Sequence, residues 1–278
     1  MRKSVRYSSK ELRDDMHPLV EPLLGAALGY LEVGAVFPRH LSLLIGPEIE
    51  PLTGGRFEHR DGGLARIRLD TNRDGFLFNL AHELGHLLID AATQPIYARS
   101  DGWLMLNEYA AERLSYALIG QAGLFDLDAT TDKLEHELME IQFLWRASVF
   151  YAGRAGPDKA ENLRRAADRF ITHFTYMSAA IGALPLANEE SIWTRDLPDA
   201  VAAPLVALLA PAERSFPQVP SAPALRAYMK TIAPGLNLAL SRLMKPRAFE
   251  VLIRALGSEP SRQLHFNRPL ADIFEMVN

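Results

Sequence analysis

Apolar positions follow two different rhythms along this chain. Between His40 and Asp70 the runs are short: Leu41-Ser42-Leu43-Leu44-Ile45 is nearly continuous, and Leu64-Ala65-Arg66-Ile67-Arg68-Leu69 alternates through its centre. Gly46-Pro47, Gly54-Gly55 and Asp61-Gly62-Gly63 bound them, which is strand and hairpin punctuation. Arg56-Phe57-Glu58-His59-Arg60 is the partner strand across the Asp61-Gly62-Gly63 turn. A small antiparallel or mixed sheet is predicted. Arg66 and Arg68 fall on one face of its last strand and Ala65, Ile67 and Leu69 on the other, which fits either an edge strand that could pair with an extended substrate or an ordinary half-buried strand.

Elsewhere the rhythm is helical. A first helix is expected from about Ser9 to Leu31, with Ser8 or Ser9 as its N-cap, interrupted by Pro18 and Pro22. After Asp70 the chain reads as helix to about Ala183. Asn72 or Asp74 caps the first of these helices, Thr130 or Thr131 precedes a long one near Asp132 to Val149, and Gly153 to Pro157 breaks the run. Seven prolines between Leu184 and Arg226 predict a loop-rich connector, and a helical section from Ala224 to Asn278 follows. The expected fold is α+β and mostly helical, divided as residues 1–125, a helical extension at 126–183, a Pro-rich connector at 184–223 and a C-terminal helical region at 224–278.

One helix carries chemistry. Phe76 to Asp90 contains His82-Glu83-Leu84-Gly85-His86, the pattern H-E-x-x-H. At about 100° per residue, with His82 at zero, His86 falls near 40° and Glu83 near 100°. Leu77, Leu80, Ala81, Leu84, Leu87, Leu88 and Ala91 fall on the opposite side, so the helix packs one face on a core and turns its polar face to a cleft. Two imidazoles on one turn bind a metal, and the intervening Glu83 is placed to act as general base.

With no cysteine in 278 residues, disulfides and thiolate sites are excluded, and a metal must be held by imidazole, carboxylate or other oxygen ligands. Asp90 is too far along the axis from His82, about 12 Å, to share its ion. The next helix offers Glu108 and Glu112, four residues apart on one face. Glu108 is the expected third ligand. Glu112 is expected to accept the spare imidazole N–H of a ligating His and so fix its tautomer. The donor to a tetrahedral oxyanion stays open among Tyr97, Tyr109, Tyr116, His136 and His173.

A net charge of −4 gives no general attraction to nucleic acid or to an anionic membrane, and the six basic residues against two acids between Ser241 and Pro269 read as solvated surface. The basic start runs into Glu11-Leu12-Arg13-Asp14-Asp15 and not into an apolar core, which predicts no signal peptide. No apolar run reaches the ~20 residues of a spanning helix. A cytoplasmic protein is expected.

The Gly-Gly hairpin and strand at Gly54 to Leu69, the run Phe78-Asn79-Leu80-Ala81-His82-Glu83-Leu84-Gly85-His86-Leu87-Leu88, and Glu108 followed by Ala110-Ala111-Glu112 resemble the ImmA/IrrE-like metallopeptidases, a gluzincin-type family. The resemblance runs from about Leu41 to Gly120. It implies a zincin fold in which the small sheet packs on the H-E-x-x-H helix. It also implies Zn2+ on His82, His86 and Glu108, Glu83 as base, and a transcriptional regulator as the protein target. The expected function is a zinc metallopeptidase that hydrolyses peptide bonds through a metal-activated water. The alternatives are a catalytically silent zincin-fold module that binds protein or DNA, and an enzyme cutting a non-peptide amide.

Overall fold

The computed structural model describes residues 4–10, 12–31, 40–47, 55–60, 64–69, 75–93, 101–153, 155–183, 209, 211–218 and 221–243. Among them the fold is α+β and mostly helical, with one four-stranded mixed sheet. The strands are β1 (Ser4–Ser8), β2 (His40–Pro47), β3 (Gly55–Arg60) and β4 (Leu64–Leu69), in the order β1-β2-β4-β3. β1 and β4 run parallel to β2, whereas β3 runs antiparallel to β4 in the register Gly55↔Leu69 to Arg60↔Leu64.

Alternation decides which sheet face is buried. Leu43 and Ile45 on β2 stand opposite Ala65 and Ile67 on β4, and all four are buried together with Leu69, whereas Leu44, Arg66 and Arg68 turn the other way and are at least partly exposed. Each of the large apolar side chains so buried contributes about 1.5–3 kcal/mol. Of the two readings open for β4, the ordinary half-buried strand holds: β4 lies between β2 and β3, and the edges of the described sheet are β1 and β3. A hairpin's second strand becomes central when an earlier strand, here β2, pairs on its far side.

The first helix is also corrected. Ser4–Ser8 is a strand, a 3-10 turn covers Asp14–Met16, and α1 runs over His17–Leu31. Ser8 and Ser9 therefore do not cap it. Pro18 sits in the first turn, where a missing N–H removes no helical bond, so it marks the start and does not interrupt. Ser9 instead pairs its hydroxyl with His17 Nδ1 at 3.1 Å.

Helix α2 is Phe76–Thr93 and lies against α1, β3 and β4. It is followed by α3 (Asp101–Gln121), α4 (Leu127–Gly153), α5 (Lys159–Ala183) and α6 (Ala222–Leu243). α4 starts earlier than expected because Asp126 Oδ1 accepts the Ala129 N–H at 3.0 Å, which makes Asp126 and not Thr130 or Thr131 the cap. The expected caps Asn72 and Asp74, the turn at 61–63 and residues 244–278 lie outside the described residues. Within the Pro-rich stretch, residues 211–215 are helical.

The contacts group the chain into two units. One comprises Met1–Arg99, Ala110–Ala129 and Phe216–Thr231, and the other Ser100–Tyr109, Thr130–Ser215 and Ile232–Asn278, so that α3 supplies residues to both. In the first, Arg226 on α6 donates to the Ala92 carbonyl at 2.7 Å near the end of α2. In the same unit the Arg113 guanidinium lies 4.8 Å from the centre of the Phe216 ring, and burial pulls its pKa down to about 10, so it stays cationic at neutral pH.

In the second unit the fully buried Tyr109 donates its hydroxyl to Glu213 Oε2. Burial pushes the Glu213 carboxyl up to about 7 from an ordinary 4.5. Between those values the folded chain keeps a proton that the unfolded chain has released, so stability falls as pH rises through this window. Glu213→Gln keeps an acceptor for Tyr109 without the titration. It is expected to raise the melting temperature over wild type at pH 8 and to lose that advantage at pH 5, as read by thermal unfolding at both pH values.

Among the described residues no helix is long and apolar enough to cross a membrane.

Candidate metal centre

α2 places His82 and His86 one turn apart with their rings 4.6 Å from centre to centre and nearly perpendicular. Most of the apolar face expected for this helix is buried: Leu80, Ala81, Leu84, Leu87, Leu88 and Ala91 are each 2% exposed or less, and Leu77 is half-buried. The other face is covered as well. Phe76, Phe78, Ile89 and Ala92 are buried, and Glu83 is only 6% exposed, so α2 is a nearly encased helix and not one that turns a polar face to open solvent.

Two glycines explain the tight cover. A Cβ at position 85 would lie 2.6 Å from the Ala111 carbonyl oxygen and 2.9 Å from its Cα, so α2 and α3 touch backbone to backbone there. Ala110 and Ala111, both fully buried, keep the α3 side of this crossing small. A Cβ at position 55 would lie 2.8 Å from both Cγ and Oε1 of Glu83, so the start of β3 passes directly over that carboxylate.

The close crossing delivers Glu112 to His82. Glu112 Oε2 is 2.8 Å from His82 Nδ1, and the Glu112 side chain is 2% exposed. A carboxylate buried so deeply is costly unless a donor meets it, and the imidazole Nδ1–H is that donor. A proton on Nδ1 leaves the Nε2 lone pair for a cation. α3 is one continuous helix, so the turn that carries Glu112 also sets Glu108 about 6 Å along the axis. His82, His86 and Glu108 each offer one ligand atom, all within 4.8 Å of one another, and this group could hold a metal ion. Asp90 does not belong to it. Two nitrogens and a carboxylate oxygen suit a borderline cation such as Zn2+ better than a hard one that takes only oxygen.

The five residues considered as oxyanion donors fall in different places. Tyr97 lies outside the described residues. Tyr109 is engaged with Glu213, Tyr116 packs its ring 5.9 Å from that of Phe78, His136 is exposed, and His173 Nδ1 is 2.7 Å from Glu137 Oε2. The tyrosine that does reach the group is Tyr176 on α5, whose hydroxyl donates to Glu108 Oε2 at 2.7 Å. It stands 68 residues from Glu108 in a helix without a motif, and its spacing of three from His173 is the only mark it leaves in the sequence.

No known protein family, curated protein or solved structure matches the chain. The arrangement of these side chains is therefore what any functional reading has to stand on.

Proposed function

We propose that this chain is a zinc-dependent metallopeptidase, similar in its site to the ImmA/IrrE-like zincins. The observation that carries the reading is the meeting of two imidazoles and the glutamate between them on α2 with two carboxylates of α3, Glu108 grouped with the imidazoles and Glu112 paired with His82. A purely structural site has no need of Glu83.

His82, His86 and Glu108 would hold the ion. A bound zinc would supply Lewis acidity toward a water and a substrate carbonyl. The remaining work belongs to the chain. Glu83 takes the proton of the attacking water on its carboxylate and returns it to the leaving amine. Glu112 keeps the His82 proton on Nδ1, so the ring does not turn. β3 excludes water from one side of Glu83 at Gly55, and its outer edge offers backbone N–H and C=O groups to an extended peptide. A protein substrate follows, with a transcriptional regulator as the suggested target.

An unfolded protein such as reduced casein tests this. Hydrolysis that stops on treatment with a chelator and returns with added zinc is expected. Stoichiometric zinc without cleavage of any unfolded protein would instead favour the silent binding module.

A further inference from the structure

We infer that Tyr176 is a positioning residue of the metal centre, holding Glu108 as a one-oxygen ligand, and that Glu137 and His173 hold Tyr176 in place. The inference rests on the metal-centre reading and extends it to α4 and α5, two helices without any sequence motif.

At 2.7 Å the bond from the Tyr176 hydroxyl to Glu108 Oε2 has the length of an O–H donor on a charged carboxylate. A donor held on one carboxylate oxygen engages that oxygen and turns the other toward a cation as the single ligand atom. Tyr176 is itself braced. Its ring meets the His173 ring edge-on, with centres 6.1 Å apart and planes at 82°, one helical turn back on α5. His173 is fixed in turn by Glu137 on α4, 2.7 Å from Nδ1, and the Glu137 side chain is 9% exposed. A carboxylate buried to that degree between helices is costly without such a partner. The series Glu137, His173, Tyr176, Glu108 therefore joins three helices, and all four residues belong to the same unit.

The consequence is an open coordination position. A catalytic zinc needs three protein ligands and a fourth place for water or substrate. With Tyr176 on Oε2, Glu108 occupies one position. Without it, both oxygens can turn to the ion and occupy two.

Cobalt(II) titration of the full chain, followed by visible absorption, tests this. The proteins are wild type, Tyr176→Phe and, as a control on the exposed face of α4, His136→Ala. Tyr176→Phe is expected to bind cobalt about 10–100-fold more weakly. It should also show the weaker absorption of a higher-coordinate ion, with a metal-free melting temperature close to wild type, and His136→Ala should match wild type throughout. Unchanged affinity and spectrum in Tyr176→Phe would overturn the inference, as would a lowered melting temperature with an unchanged spectrum, which marks packing alone. Failure of the wild-type chain to bind cobalt would overturn the metal-centre reading and this one together.

Discussion

Glu83→Gln is expected to lower peptide hydrolysis about 10²–10⁴-fold while leaving the bound metal unchanged, the range in which a positioned general base works. Gln matches Glu in shape, so it fills the same 6%-exposed space under Gly55. It cannot take a proton from water. The grouped ligands are other residues, His82, His86 and Glu108, so metal content is expected to stay near that of wild type. Turnover of an unfolded protein, measured beside metal content, separates the two effects. Wild-type turnover in Glu83→Gln would remove the base from the mechanism and leave the ion without its proton carrier.

Gly85→Val is expected to cost at least ~1–3 kcal/mol, the usual range for overpacking a filled interior. The Cβ alone would come within 2.6 Å of a backbone carbonyl oxygen, which cannot rotate aside as a side chain can, so α2 and α3 must separate. Separation also lengthens the 2.8 Å contact of His82 with Glu112, so metal affinity should fall along with the melting temperature. Gly120→Ala supplies the contrast. It lies near the end of α3 where a Cβ meets nothing within 4 Å, and better helix propensity is expected to stabilise by up to about 1 kcal/mol. Thermal unfolding of both variants reads the difference in sign. Two variants of equal stability would mean that the helices do not cross at Gly85 as described.

Local pattern was enough for some elements and not for others. α2 could be read because its apolar residues recur over five turns, and β2, β3 and β4 because short apolar or alternating runs and the segment across the turn from β4 are bounded by Gly and Pro. β1 has no local mark, because Ser4-Val5-Arg6-Tyr7-Ser8 sits in a basic stretch that looks like a solvated end and its pairing with β2 is fixed only 36 residues away. Strand order is a long-range property, so local pattern leaves open whether β4 is an edge or an inner strand, and the edge belongs to β3.

The candidate site divides in the same way. His82, Glu83 and His86 are marked by spacing within one helix, and Glu108 and Glu112 by spacing within the next. The wheel of α2 alone could not show that α3 and β3 close over its polar side, because that depends on Gly55 and Gly85 meeting other elements. Tyr176 and Glu137 carry no motif, and His173 stands out only as one of several lone candidates, since a lone aromatic or imidazole on a long helix is usually packing or surface.

The central claim is that His82, His86 and Glu108 hold one ion. Elemental analysis of the purified chain tests it most directly, beside His82→Ala and Glu108→Ala. Near one zinc per chain in the wild type, lost in both variants, is the expected result. No metal in any of the three, and no uptake when zinc is added, would contradict it and leave a helical protein in which H-E-x-x-H is a coincidence of sequence.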